Sequence, residues 1–195
     1  MSDSDRDKDI TKWVTIHGTH IPIRDGQTVE EAIKEHRKKH ELNIKEKQAL
    51  LKYTGSYSYI INYKLRNKIE LSDSDKTFLQ DFKSATSKLP RYKGIITRDL
   101  SLDNEEDIKK IVDGLKTNEI MSDSIWSFTK LKAYMDNPKV RIRIMNSSQS
   151  IDISKYNGYG EEETIYLPGT KFINPDIRID DNGVYLIFLE EDNSE

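Results

Sequence analysis

The sequence has no cysteine. This excludes a disulfide framework, a thiolate nucleophile and a cysteine-ligated zinc site together. Long apolar runs are missing too: nothing approaches the roughly 20 residues that a membrane-spanning helix needs. The first nine residues are polar and charged where a secretory signal carries an apolar core. No sign of charge dominates. With 31 Lys+Arg against 34 Asp+Glu the net charge is −3, so there is no general attraction to nucleic acid or to a membrane surface. Histidine is scarce, and only His36 and His40 have ligand-like i, i+4 spacing. Arg37 stands where a zinc-protease helix carries glutamate, and no third ligand is suitably placed, so a solvated helix and no metal are expected. Together these absences describe a soluble, cytoplasmic protein without membrane or nucleic-acid partners.

At 195 residues with 33% charged side chains, the chain suits one domain with a short appendage. Residues 1–9 read as a disordered tail. Residues 10–43 read as a small module: a hairpin over Trp13–Ile23 turning at Gly18-Thr19, then a helix to about His40. Thr28-Val29-Glu30-Glu31 supplies that helix with a capping box. Residues 44–195 form the larger domain. Helices are expected over Ile44–Tyr53, broken at Thr54-Gly55, and over Ser56–Arg66 with Ile60, Ile61 and Leu65 apolar. Another should follow the caps Ser72-Asp73-Ser74-Asp75, with Phe78, Leu79 and Phe82 inward.

After Arg91 the pattern changes to strands, at Tyr92–Ile96, Ile125–Phe128, Val140–Met145, Thr164–Leu167, Asp176–Ile179 and Val184–Leu189, with one helix over Asp107–Leu115. Asp181-Asn182-Gly183 signals a type I′ hairpin turn. Helices first and strands after is an α+β plan.

The most informative segment is Glu161-Glu162-Glu163 followed by Thr164-Ile165-Tyr166-Leu167-Pro168-Gly169-Thr170-Lys171-Phe172. If the loop enters a strand, Glu161 and Glu163 share one face and Glu162 points away. Two carboxylates on one edge repel unless each has a task, such as holding a hydroxyl or taking a proton. Upstream lie Trp126-Ser127-Phe128-Thr129, a strand carrying two hydroxyls, and Tyr92-Lys93-Gly94, an aromatic, a cation and a glycine. Gly158-Tyr159-Gly160 precedes the acidic run.

In that order and spacing these elements resemble the mono-ADP-ribosyltransferases of the Arg-Ser-Glu type. That superfamily includes binary actin-modifying toxins and bacteriophage host-modifying enzymes. The string Tyr53-Thr54-Gly55-Ser56, with Asn62 and Leu65-Arg66, resembles the family's helical lead-in. The resemblance covers about Ile44–Leu189 and implies N-terminal helices followed by a mostly antiparallel split β-sheet. It implies NAD⁺ as substrate, a protein acceptor and no metal. Glu163 would bind the ribose and stabilise the oxocarbenium-like state, with Ser127 fixing its rotamer and Thr129 facing the nicotinamide ribose. Glu161 would orient and deprotonate the acceptor, expected to be arginine, and Tyr159 would touch the incoming protein. Lys93, flanked by Tyr92 and Gly94, takes the place of the family's arginine at the pyrophosphate. A lysine is a point charge without arginine's planar fork, so Arg91 or Arg98 could reach in to compensate. Two other readings follow from the same residues: a degenerate NAD-binding or virion-associated structural protein, and an NAD⁺ glycohydrolase.

Overall fold

Strands β1 (Ile10–Ile16) and β2 (Thr19–Arg24) pair antiparallel and cover one face of helix α1 (Val29–His40), burying Ile21, Ile23 and Ala32 between them. This computed structural model describes residues 9–117 and 119–194. It divides into two units, one ending at Ile44 and the other beginning at Lys45. The tail expected at residues 1–9 lies outside the described residues except for Asp9, whose carbonyl accepts the Asp25 amide at 2.9 Å. Ile16 pairs with Thr19, which leaves His17 and Gly18 as the loop, with φ of 49° and 77°. The turn thus sits one residue earlier than expected. A type I′ loop needs positive φ at both central residues, and β-branched Thr19 resists that conformation more than histidine does. The capping box on α1 forms, with Thr28 Oγ1 accepting from the Glu31 amide at 3.1 Å.

The second unit opens with helices α2 (Ile44–Lys52), α3 (Ser58–Arg66) and α4 (Asp73–Ser87). A π-type turn, Tyr53–Tyr57, separates α2 from α3, and Gly55 (φ −88°, ψ −156°) leaves helical geometry there. Leu50, Tyr53, Ile61, Phe78, Phe82 and Ala85 are buried, whereas Ile60, expected on the same side as Ile61, is exposed. Asp75 joins the three segments. It closes the capping box of α4 with Ser72, accepts Lys64 Nζ at 2.7 Å and accepts the Tyr57 hydroxyl. Lys64 first, then Tyr57, holds its carboxyl well below the usual aspartate range.

The sheet has the order β3-β5-β7-β6-β9-β8-β4, built from β3 (Arg91–Leu100), β4 (Ile120–Met121), β5 (Trp126–Thr129), β6 (Val140–Asp152), β7 (Glu163–Tyr166), β8 (Lys171–Ile179) and β9 (Tyr185–Glu191). All pairings are antiparallel except β6 with β9. The long β6 splits the sheet. It pairs with β3 along Val140–Ile151 but with β7 only at Ile151 and Asp152. Helix α5 (Glu105–Gly114) packs Ile108, Ile111 and Val112 onto the core formed by Ile96, Phe128, Ile142, Tyr166 and Phe172. The architecture is α+β, with helices ahead of a mostly antiparallel split sheet.

Two strands, β3 and β6, run well past their expected ends. β6 continues from Met145 through Asn146-Ser147-Ser148-Gln149-Ser150 because a carboxylate on β9 receives those polar groups. Glu191 accepts the amides of Ser148 and Gln149 at 3.1 and 3.0 Å, the Ser148 hydroxyl at 2.9 Å and the Tyr166 hydroxyl at 2.6 Å. Burial opposes its ionisation, but these bonds outweigh burial and hold Glu191 below the usual glutamate range. The Asp180–Gly183 turn also departs from expectation. Of Asn182 and Gly183 only the glycine has positive φ (79°), and Asp180 Oδ1 accepts the amides of Asn182 and Val184, both at 2.9 Å. The aspartate side chain organises a three-residue loop ending on a left-handed glycine in place of a type I′ pair.

Replacing Asp75 by alanine strands Lys64 and removes a helix cap. We expect a loss of about 3 kcal/mol, measured by urea unfolding at pH 7. Because the folded-state value is depressed, the contribution is complete above the ordinary aspartate pKa and disappears as pH falls through the folded-state value. Wild-type and variant stabilities should therefore converge in acid.

Candidate active site

A cleft of about 590 Å³ opens between the helices and the sheet. The π-type turn contributes Tyr53 and Thr54, α3 contributes Tyr59, Asn62 and Arg66, and β3 contributes Arg98. The opposite wall comes from Ser127 and Thr129 on β5 and from Tyr159, Glu161, Glu162 and Glu163. Of the residues singled out in the sequence, the cleft brings together Glu163, Glu161, Ser127, Thr129 and Tyr159.

Glu163 is the first residue of β7, with Thr129 opposite it on β5. Burial pushes its carboxyl above the ordinary glutamate value, while hydrogen bonds from Ser127 and Asn157 pull the other way. The Asn157 amide donates to Glu163 Oε2 at 2.8 Å. Ser127 is itself held by the Tyr53 hydroxyl at 2.7 Å, across 74 residues of sequence. Burial pushes that phenol up to about 12, so it remains protonated. The Thr129 hydroxyl accepts the Leu131 amide at 3.1 Å and thereby shapes the chain leaving β5.

Glu161 and Glu163 do not share a strand face. Glu161 lies in the preceding loop, and the Glu163 amide donates to the Glu161 carbonyl at 2.9 Å in a tight turn. Both nevertheless reach the cleft. Glu161 is exposed, and its Oε1 accepts the Tyr134 hydroxyl at 3.2 Å. Glu162 is drawn aside. Lys130 Nζ meets its carboxylate at 2.8 Å and that of Asp152 at 3.0 Å, while the Lys130 amide donates to the Glu162 carbonyl at 2.8 Å.

The first sequence element falls elsewhere. Lys93 is exposed and lies outside the cleft lining, as do Tyr92 and Gly94. Tyr92 packs on the core with Lys130 Nζ 5.5 Å from its ring, and Gly94 (φ 143°) occupies an irregular stretch of β3 beneath the Tyr92 hydroxyl. Lys93 precedes Arg98 by five residues, about 16 Å along a strand. Arg98 is the β3 cation in the cleft, and its Nη1 donates to the Ser127 carbonyl at 2.9 Å. Burial lowers its pKa and the positive charge of Arg66 lowers it further, while the carboxylates of Asp123 and Glu163 partly restore it. Arg66 also lines the cleft, its Nε donating to the Asn62 carbonyl at 3.3 Å. Among the described residues neither guanidinium forms an ion pair with a carboxylate, so both are available to an anionic ligand. Among those residues no group of three or more His, Cys, Asp or Glu is arranged to hold a metal, and no helix is long and apolar enough to cross a membrane.

Asn157 is the residue that the sequence pattern does not reveal. Its Nδ2 binds Glu163, and its Oδ1 accepts the amides of Tyr159 at 2.8 Å and Glu161 at 3.3 Å. One side-chain amide thus fixes both the acidic loop and the buried carboxylate. Asn-Gly usually signals only a turn; its position six residues ahead of Glu163 is the sole hint.

No family model matches the sequence, and no curated protein matches it. Solved structures do match the fold. The type III effector XopAI from Xanthomonas axonopodis pv. citri superposes with a TM-score of 0.66 at 16% identity, over 81% of this chain and 67% of its own. An ADP-ribosyltransferase from Clostridium botulinum gives 0.63 at 18% identity, over 84% and 96%. Exoenzyme S from Pseudomonas aeruginosa, solved with human 14-3-3 protein beta and carba-NAD, gives 0.63 at 19% identity, over 84% and 82%. The chain has the fold of the mono-ADP-ribosyltransferases.

The hydrogen bond from Asn157 stabilises the charged form of Glu163, so removing it must raise the carboxyl pKa further. Side-chain carbon NMR of Asn157→Ala should show Glu163 titrating higher than in wild type. An unchanged titration would mean that the amide does not bear on Glu163.

Proposed function

We propose that this protein binds NAD⁺, cleaves the bond between nicotinamide and ribose, and transfers ADP-ribose to an arginine side chain of a protein acceptor. The observation carrying this reading is Glu163, desolvated yet hydrogen-bonded by Ser127 and Asn157, in a cleft that also holds the guanidinium groups of Arg98 and Arg66. The arrangement suits a ligand combining a diphosphate with a ribose that becomes cationic. Its setting in a fold shared with ADP-ribosyltransferases supports the reading.

Arg98 and Arg66 neutralise the two phosphates, the task expected of Lys93 from the sequence. As the bond to nicotinamide breaks, its electron pair departs with nicotinamide and the ribose becomes oxocarbenium-like. Glu163 stabilises that charge and holds the adjacent hydroxyl; Ser127 and Asn157 keep its carboxylate in one rotamer. A preorganised charge of this kind acts strongly because water is largely excluded. The acceptor guanidinium nitrogen then bonds to the ribose carbon and gives up a proton to Glu161, which is exposed at the mouth of the cleft. The products are nicotinamide, the modified arginine and one proton. The degenerate-site reading drew on Lys93, and with Arg98 in the cleft it loses that support.

The test is labelled-NAD⁺ transfer into a bacterial lysate, with nicotinamide release measured in parallel. Glu163→Gln should lose both activities by a factor of about 10² to 10³. Glu161→Gln should lose transfer while retaining hydrolysis. Arg98→Ala should weaken NAD⁺ binding at least about tenfold, and Lys93→Ala should not. Hydrolysis without a labelled acceptor, in lysates and with free guanidino compounds alike, would favour the glycohydrolase instead. Activity requires ionised Glu163, so it should fall as pH drops through that group's raised pKa.

A further inference from the structure

One group at the mouth of the cleft takes no part in the mechanism above. Tyr134 lies between β5 and β6, 60% exposed, with its hydroxyl on Glu161 Oε1 at 3.2 Å. The charge of Glu161 is the main influence raising its phenol pKa, with smaller effects from Tyr59 and Glu163. Residues of α3, of the β5–β6 connection and of the acidic loop line the same cleft.

The chain segment beneath the exposed ring is firmly anchored. The amides of Tyr134 and Met135 donate to Asp99 Oδ2 at 2.8 and 3.1 Å. Arg141 grips Asp99 with Nε at 2.7 Å and Nη2 at 3.0 Å, and the same Nη2 donates to the Met135 carbonyl at 3.1 Å. The Asp99 carboxylate is fully buried. A buried ion pair with a bidentate fork fixes geometry; here it fixes the backbone that presents a solvent-facing tyrosine. Solubility alone does not call for such a support.

We propose that Tyr134 sets the acceptor preference of this site, holding the Glu161 carboxylate in one orientation and, together with Tyr59, offering aromatic faces to a planar guanidinium. The inference rests on the transfer reading given above. A carboxylate has about four lone-pair directions, so the Tyr134 hydroxyl occupies one and leaves the remainder for a forked donor. Tyr59 is 79% exposed on α3 and lines the same cleft. Guanidinium groups stack on aromatic rings and are weakly hydrated, whereas an ammonium is compact and holds its water. The arrangement therefore selects arginine over lysine.

The experiment is an NMR titration of the protein with agmatine, a guanidino compound, and with putrescine, a plain diamine, for wild type, Tyr134→Phe and Tyr134→Ala. Partition of NAD⁺ turnover between agmatine and water is measured alongside. Wild type should prefer agmatine. Tyr134→Phe, which keeps the ring, should bind it about threefold to fivefold more weakly, and Tyr134→Ala about tenfold. Putrescine binding should change less, and the ratio of transfer to hydrolysis should fall in the same order. Equal binding of the two amines by wild type, or an unaltered preference in both variants, overturns the proposal. If wild type releases no nicotinamide, the transfer reading fails separately, and the titration still decides whether Tyr134 reads the guanidinium.

Discussion

A carboxylate withdrawn from water is costly unless other groups replace its hydration, and the second unit is organised around meeting that requirement for Glu163. Ser127 and Asn157 supply hydrogen bonds, Arg98 supplies positive charge, and Tyr53 fixes Ser127 from the helical side. These groups come from the helical layer, from the two strands β3 and β5, and from the loop ahead of β7. The carboxylate is thus the point at which separate parts of the fold must agree. Burial still prevails over these compensations, since the carboxyl remains above its ordinary value.

The neighbouring glutamates receive three different environments within one tripeptide. Glu163 is desolvated, Glu162 is drawn onto Lys130, and Glu161 stays near solvent beside Tyr134. Three like charges in succession would otherwise repel and loosen the loop. Giving each its own surroundings relieves that repulsion while all three line the cleft. Asn157 adds the backbone restraint, since the amides of Tyr159 and Glu161 share one side-chain oxygen.

Much of this was legible from the residues because the signals were local. The acidic run, the Ser127-Phe128-Thr129 strand and the capping residues each lie within a few positions of what they organise. Arg98 was harder. Tyr92-Lys93-Gly94 matched the expected aromatic, cation and glycine, and only the structure shows β3 continuing through Thr97-Arg98-Asp99 to Leu100. Those polar residues do not look like a strand end until Arg141 is seen to meet Asp99 and Ser127 to meet Arg98. Likewise, nothing in Ser147-Ser148-Gln149-Ser150 predicts a buried strand before Glu191, far along the chain, supplies its acceptor. Asn157 and Tyr134 act through partners that periodicity cannot indicate.

The parallel pairing of β6 with β9 has a consequence for the order in which the molecule assembles. Glu191 on β9 secures the serine segment of β6 and also the Tyr166 hydroxyl at the end of β7, the strand that begins with Glu163. Contacts between segments distant in sequence carry a larger loop-closure cost than local ones. During synthesis, the segments bearing Ser127 and Glu163 therefore emerge before the strand that completes their support. Until then the Tyr166 hydroxyl, at the far end of the strand that begins with Glu163, has no Glu191 carboxylate to bond.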